Sequence, residues 1–205
     1  MKLVNFASFD PAHKERGVKG LANAGRQDEM VWKEFNADSY RLAEESEEAS
    51  LRLSGPAQSP EEQDELEVPE GPTEATVLRS MRLVQRFFRR SVLASYRFTC
   101  AFCGLDVPAL LNASHIVPWS VDVKLRADPS NGLCLCCLHD RAFDRGLMSV
   151  NSENRLVLSS RLSSNTDVAM HRTAFLDLEG CSIKLPERFL PHPSSLKYHF
   201  TAIFV

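Results

Sequence analysis

The chain has 205 residues, of which 43% are hydrophobic and 25% charged, and its formal net charge is −3. This length can bury a sizeable core, in one domain or two small ones, and the composition is that of an ordinary soluble globular protein. No apolar run approaches the roughly 20 residues that cross a bilayer, and the N-terminus has no apolar core of secretory-signal length. We therefore expect a cytoplasmic protein without membrane contact, whose six cysteines stay reduced and serve metal binding or burial.

Charge is distributed unevenly along the chain. Residues 1–74 contain 8 Lys/Arg against 17 Asp/Glu, whereas residues 75–205 contain 16 against 10. An acidic part is thus followed by a basic part. The average charge hides this contrast.

The N-terminal part, residues 1–53, is predicted to be a helical region. Its main helix is expected from about Asp28 to Leu53, where strong helix formers occur without Pro or Gly. Residues 54–75 follow as an acidic, Pro-rich segment, and such a composition predicts a flexible linker. The remaining domain is predicted over residues 76–205, with its core at 89–150.

An amphipathic helix is predicted from Thr76 to Tyr96. Apolar side chains recur at helical spacing on one face. Guanidinium groups occupy the opposite face and match the phosphates of a nucleic acid backbone, although a solvated surface helix remains the simpler interpretation. The candidate DNA-binding residues are Arg79, Arg82, Arg86, Arg89 and Arg90.

Two Cys-x-x-Cys pairs come next. Cys100 and Cys103 form a knuckle followed by glycine, and Cys134 and Cys137 form a second pair. Four cysteines at this spacing predict a structural Zn²⁺ site. The apolar neighbours also allow a different interpretation, in which the cysteines are small buried residues.

The most informative motifs are SHIVPWS, from Ser114, and NGLCLCCLHDRAFDRG, from Asn131. Phosphodiester hydrolysis needs an activated water and a cation that neutralises developing charge. His115 is the candidate general base, on a strand expected to end at Pro118, because imidazole titrates near neutral pH. The Asn131 amide can tie the intervening loop by hydrogen bonds. His139 lies in a predicted helix, where neutral imidazole is a common metal ligand.

Beyond these motifs, a β-hairpin is predicted from two short apolar runs, Leu147–Val150 and Arg155–Ser159, which are separated by a turn-rich spacer. In the tail, after Ser182, we expect a short strand and then a terminal helix that begins at Pro193.

The stretch from about Arg89 to Val150 resembles the HNH endonucleases, and specifically a bacterial subgroup described as restriction endonucleases. The resemblance implies an α+β fold with a ββα-metal, treble-clef-like core, extended by the N-terminal helical region and the C-terminal hairpin and helix. It also implies His115 as general base, Asn131 as the residue that orients it, and His139 as the ligand of a divalent ion, Mg²⁺ or Mn²⁺.

This chain departs from the family pattern at one position. Many HNH enzymes have an acidic residue or histidine immediately before the base, as a second metal ligand, and Ser114 stands there. Asp144 is the nearest acidic candidate to complete the site, with Asp140 as another. Asp144 could equally cap its helix or pair with a neighbouring arginine.

We therefore expect a metal-dependent DNA endonuclease of restriction or defence type, which would act as a homodimer where it cuts both strands. A second hypothesis is a catalytically silent, zinc-stabilised DNA-binding module on the same scaffold. A third is a regulatory protein, in which the acidic N-terminal part masks the basic part until DNA displaces it.

Overall fold

The computed structural model describes residues 9, 11–15, 17, 25–54, 72–163 and 167–205. The helices are α1 Pro11–Glu15, α2 Arg26–Phe35, α3 Ser39–Ser54, α4 Pro72–Ser95, α5 Cys137–Asp144, α6 Ser160–Ser163, α7 Ala169–Ala174 and α8 Pro193–Tyr198. The strands are β1 Leu111–His115, β2 Gly132–Cys136, β3 Met148–Val150 and β4 Leu156–Leu158. Helices thus combine with two small two-stranded sheets, which is the α+β class predicted from the sequence.

Strands β1 and β2 form the sheet that carries the first motif histidine. They are antiparallel, and His115, the last residue of β1, is the register partner of Gly132, the first residue of β2. Every residue of β2 is buried, because α4 and α5 both pack against this sheet. The chain passes from β2 directly into α5, so both motifs lie in one continuous unit.

Gly132 determines how closely α4 approaches the sheet. A Cβ atom at this position would lie 2.4 Å from Cγ2 of Val92 and 2.9 Å from Cζ of Phe88. A side chain would therefore push α4 outwards, and glycine is the residue that permits the close approach. The approach brings the ring of Phe88 into contact with the ring of His115.

The helix predicted from about Asp28 to Leu53 is divided into two helices. Helix α2 ends at Phe35 and α3 begins at Ser39. The break has a local cause, because Oδ1 of Asp38 accepts a hydrogen bond from the Arg41 backbone N–H at 3.0 Å and so caps α3. Most of the predicted linker, residues 55–71, lies outside the described residues.

Helix α3 packs against α4 and against the loop between β1 and β2. The Tyr40 hydroxyl shares a hydrogen bond with the Ser80 hydroxyl at 3.1 Å, and Oγ of Ser39 donates to the Lys124 carbonyl at 3.5 Å. A small apolar cluster joins the three segments. Its members are Ala43, Val84 and Ala127, with Tyr40, Phe87 and Trp119 packed against them.

The C-terminal part contains the predicted hairpin as β3 and β4, which pair antiparallel. The predicted terminal helix is α8, with Pro193 as its first residue. The short strand expected before it is reduced to an isolated bridge between Arg155 and Ser182. None of the helices in the described ranges is long and apolar enough to cross a membrane.

His199 joins this C-terminal part to the core. Its imidazole is buried, with Nδ1 2.9 Å from the Ser149 hydroxyl and Nε2 3.0 Å from the Phe143 carbonyl. The ring also stacks on Phe143, with centroids 3.6 Å apart. Since the carbonyl can only accept, Nε2 of His199 donates the proton in that bond. The tail is therefore held against α5 and β3.

Candidate active site and metal centre

A cleft of about 600 Å³ opens beside the end of β1. Its walls come from α4, β1, the loop after β1, α5 and the C-terminal turn. His115 lies in this cleft together with the carboxylates of Asp140 and Asp144 and the guanidinium of Arg89. A base, two acids and a fixed cation therefore share one solvent-accessible space.

The imidazole of His115 has a defined orientation. Its Nε2 lies 3.1 Å from the Arg126 carbonyl oxygen. A carbonyl can only accept, so Nε2 carries the proton and Nδ1 keeps its lone pair in the neutral ring. Burial lowers the pKa of His115, while the hydrogen bond to Arg126 opposes that shift. At neutral pH the ring is therefore uncharged and able to accept a proton.

Asn131 ties together the loop that follows β1. Its Oδ1 accepts from the Val117 backbone N–H at 2.9 Å, and its Nδ2 donates to the Val117 carbonyl at 3.0 Å and to the Leu125 carbonyl at 3.4 Å. The side chain is 1% exposed. These bonds hold the loop between His115 and Arg126 in one conformation.

The carboxylates of Asp140 and Asp144 lie one helical turn apart on α5, and both residues line the cleft. Nδ2 of Asn112 donates to Oδ2 of Asp140 at 2.8 Å. Burial raises the pKa of Asp144, the charge of Asp140 raises it further, and Arg141, Ser114 and Arg145 oppose the shift. Oγ of Ser114 is buried and, within the described residues, makes no hydrogen bond of ordinary geometry, but it is close enough to the Asp144 carboxylate to lower the pKa of that group.

A second cluster lies on the opposite side of α5. Sulfur and nitrogen atoms of Cys100, Cys103, Cys136 and His139 all lie within 4.8 Å of one another. Nδ1 of His139 is 3.1 Å from Sγ of Cys136 and 3.7 Å from Sγ of Cys100. In a tetrahedral zinc site, ligand atoms about 2.0–2.3 Å from the ion stand about 3.5–4 Å apart. The cluster can therefore hold a metal such as zinc.

Protonation within this cluster also fits a metal centre. Contacts with Cys103 and Cys136 hold the pKa of the Cys100 thiol far below its usual range, whereas contacts with Cys100 and Cys103 raise the pKa of Cys136. Burial lowers the pKa of His139, but hydrogen bonds with Cys100 and Cys136 outweigh it and raise the pKa to about 10. Three sulfurs and one imidazole nitrogen thus compete for protons. A metal ion with closed tetrahedral coordination binds such donors in their deprotonated forms.

A hydrogen bond at the second ring nitrogen fixes the orientation of His139. Its Nε2 lies 2.8 Å from the Ala174 carbonyl, so Nε2 carries the proton and Nδ1 faces the cysteine sulfurs. Such a hydrogen bond orients an imidazole ligand towards its metal. Both ring nitrogens of His139 are thus engaged away from the cleft.

Comparison with known proteins adds one match. Residues 100–151 match the family model described as HNH endonuclease. No curated protein matches the chain. The matched HNH segment begins at the first cysteine of the cluster and ends just after β3, so it contains the whole cluster and most of the cleft's chemical groups.

Within the HNH segment, the cysteine set differs from the one predicted. Cys100 and Cys103 take part, but Cys136 and His139 stand in place of Cys134 and Cys137. Cys136 is the N-cap of α5 and His139 is the third residue of the helix, so one turn brings both side chains to the same side. Cys134 is buried in the core, where burial raises its pKa to about 12. Sγ of Cys137 instead contacts the Leu110 carbonyl at 3.3 Å.

The structure therefore separates the three motif residues of the HNH segment. It places His115 at the cleft and Asn131 directly beneath the adjoining loop, but His139 belongs to the cysteine cluster. His139 as a ligand of Mg²⁺ or Mn²⁺ stays a prediction; in the structure its Nδ1 lies beside Sγ of Cys136 and its Nε2 beside the Ala174 carbonyl. Asp140, the next residue, faces the cleft instead.

The arginine face of α4 is partly covered by the acidic helix α3. Arg90 pairs with Glu47 at 2.8 Å, and Arg79 lies 3.8 Å from Glu48. Arg89 lines the cleft. Arg82 is exposed and Arg86 half-buried. The five predicted DNA-binding residues therefore fall into different environments and do not form one uniform surface.

Sequence reasoning missed three contributors to the site. Cys136-x-x-His139 is a recognisable ligand spacing, but the neighbouring Cys-x-x-Cys pair obscured it. Asn112 could have been found as a residue three positions before His115 on the same predicted strand. The Arg126 carbonyl has no sequence signal, because any residue supplies a backbone oxygen.

Proposed function

We propose that the protein is a metal-dependent DNA endonuclease of the restriction or defence type, with His115 as its general base. The observation that carries the proposal is the cleft in which an oriented, neutral imidazole stands beside two carboxylates. The HNH match over residues 100–151 supports a nuclease and gives DNA as the substrate class. Asn131 contributes by fixing the loop beneath the base.

In the proposed reaction, Nδ1 of His115 accepts a proton from the attacking water. The Arg126 carbonyl keeps the opposite nitrogen protonated, so the lone pair points from Nδ1. The lowered pKa of His115 keeps the ring in its basic form at neutral pH. Arg89 lies in the same cleft and is placed to bind a phosphate oxygen as a fixed cation.

The cleft also fits a divalent cation. Burial and then the charge of Asp140 raise the pKa of Asp144, and a cation bound between the two carboxylates would favour the charged form of both. The buried Ser114 hydroxyl, which lies next to the Asp144 carboxylate, offers a further oxygen. When bound, Mg²⁺ or Mn²⁺ would stabilise charge that develops on the phosphate and the leaving oxygen. We assign this ion to Asp140, Asp144 and Ser114, and zinc to the cysteine cluster.

The remaining arginines of α4 are proposed to hold the DNA backbone without reading sequence. Each such cleft acts on one strand. Cleavage of both strands in one binding event needs two such clefts, and we propose a homodimer for that activity.

The test is incubation of the purified protein with supercoiled plasmid, with and without Mg²⁺ or Mn²⁺. We expect nicking or linearisation that needs the metal and disappears in the His115→Ala variant. His192→Ala is the matched control, since His192 is exposed and should leave cleavage intact. Equal cleavage by His115→Ala and the control would refute His115 as the base.

A second candidate is the catalytically silent DNA-binding module. The observation in its favour is that His139, the residue that binds the catalytic ion in the family, lies in the cysteine cluster here. This hypothesis predicts salt-sensitive DNA binding that His115→Ala leaves unchanged. Intact plasmid across several metals and several DNA types, modified DNA included, would favour it over the nuclease.

A further inference from the structure

Helix α3 touches the segment that orients the candidate base. Ala43, in the middle of α3, is 0% exposed and belongs to the same apolar cluster as Ala127, which is also 0% exposed. Ala127 directly follows Arg126, whose carbonyl accepts the hydrogen bond from His115. The Arg126 carbonyl oxygen, which fixes the imidazole, therefore belongs to the peptide unit that joins Arg126 to Ala127, a residue of the cluster.

Trp119 provides a second route between α3 and the base. Its ring packs against the α3–α4 cluster and meets the His115 ring edge-on, with centroids 5.5 Å apart and planes at 86°. Arg126 contacts Trp119 in two ways. Its Nε donates a hydrogen bond to the Trp119 carbonyl at 2.8 Å, and its guanidinium lies 5.1 Å from the centre of the indole ring. The loop, the tryptophan and the arginine thus form one connected group.

We propose that α3 is a positioning element of the catalytic site, which fixes Ala127 and Trp119 and through them the Arg126 carbonyl that orients His115. The inference rests on the proposed function, since it assigns α3 a part in DNA cleavage. It gives the N-terminal region a role that the HNH match, which begins at residue 100, does not cover.

The proposal differs from a masking role for the acidic region. A mask would lower DNA affinity and leave the geometry of the base unchanged, so its removal would increase binding. A positioning element acts on the chemical step, so disturbing it lowers the cleavage rate and leaves DNA affinity nearly unchanged. The same helix carries Glu47 and Glu48, so only separate measurements of rate and affinity distinguish the two roles.

The test compares Ala43→Leu with Ala49→Leu in the full-length chain. Both add the same side chain to α3, but Ala43 is buried in the cluster that contains Ala127 whereas Ala49 is exposed. Single-turnover cleavage at saturating DNA gives the cleavage rate. Titration of the protein with DNA, with Ca²⁺ in place of Mg²⁺ so that no cleavage occurs, gives the DNA affinity. Proton NMR of the His115 ring N–H, protected from solvent exchange by its bond to Arg126, reports the orientation directly.

We expect Ala43→Leu to lower the single-turnover rate by about 10- to 100-fold, as misplacement of a catalytic group does, with affinity within about twofold. Its protected ring N–H signal should be lost. Ala49→Leu should match the wild type in cleavage rate, in DNA affinity and in the ring N–H signal. Tyr40→Ala, which removes bulk from the same contact, should act like Ala43→Leu and replaces it if the larger side chain prevents folding.

A folded Ala43→Leu or Tyr40→Ala variant with wild-type rate and an intact N–H signal would overturn the proposal. A rise in DNA affinity with no loss of rate would also overturn it, in favour of masking. If the wild type cleaves no DNA, the proposed function fails separately. The NMR comparison then still decides whether α3 orients His115.

Discussion

The imidazole of His115 lies parallel to the phenyl ring of Phe88, with centroids 3.7 Å apart and planes 7° from parallel. Phe88 belongs to α4, the helix that also carries the arginines. The contact is possible because Gly132, opposite His115 in the sheet, has no side chain to separate the helix from the strand. His115 and the arginine-bearing helix α4 therefore occupy fixed positions relative to each other.

Cleavage should depend on pH through His115. Its pKa is lowered by burial, and the neutral ring is the active form. Activity should therefore be full at pH 7 and fall only below the ordinary histidine pKa of about 6.5. The single-turnover rate between pH 4.5 and 8 measures this. In Phe88→Leu, which opens the ring to water, the acid limb should move to higher pH, and an unmoved limb would contradict burial as the cause.

Zinc content should distinguish the two cysteines at the start of α5. Cys136 belongs to the cluster and Cys137 does not, so Cys136→Ala should lose bound zinc and Cys137→Ala should keep one equivalent. Loss of a structural zinc should lower the free energy of unfolding by at least about 3 kcal/mol. Metal analysis and denaturant unfolding provide the measurements. The reverse pattern would restore the set predicted from the sequence.

Replacing one cleft carboxylate should weaken the response to divalent metal. Asp144→Asn removes half of the acidic pair, so the Mg²⁺ concentration for half-maximal cleavage should rise and the maximal rate should fall by about 100-fold. The metal-free variant should unfold at a slightly higher temperature, because the repulsion from Asp140 is relieved. Asp106→Asn, at an exposed carboxylate, is the control, and an equal effect there would argue against a metal site.

Stability should fall in mild acid because of His199. Burial lowers its pKa to about 4, whereas in the unfolded chain it should titrate near 6.5. The unfolded state thus binds a proton first, and the stabilisation present above pH 6.5 is lost as pH falls towards 4, by about 3 kcal/mol. Unfolding by urea at pH 7 and pH 4.5 measures this. His199→Gln, which cannot titrate, should show a smaller loss, and an equal loss would assign the effect to other groups.

Some of this structure could be predicted from the sequence because its signals are local. Helix α4 follows from helical periodicity and the β3–β4 hairpin from two apolar runs around a turn. The break between α2 and α3 depends on a single Asp38 cap in an otherwise continuous helical pattern. Local propensity could not distinguish that cap from an interior residue.

The candidate site was harder to predict, because it depends on where a strand changes into a helix. Side chains alternate in β2 and recur every third or fourth residue in α5. Since α5 starts immediately after Cys136, its first turn pairs Cys136 with His139 and turns Asp140 towards the cleft. The packing of α3 against Ala127 is a tertiary contact with no local signal.

Helix α5 has two chemically independent faces on only eight residues. One face contributes to the cysteine cluster that supports the fold, and the other presents the carboxylates to the cleft. In the proposed nuclease, a single substitution of an acidic residue would therefore end catalysis and leave the protein folded, whereas loss of a cluster residue would remove both properties. For the proposed nuclease, an evolutionary change from enzyme to DNA-binding protein would therefore need no more than a substitution on the cleft face of α5.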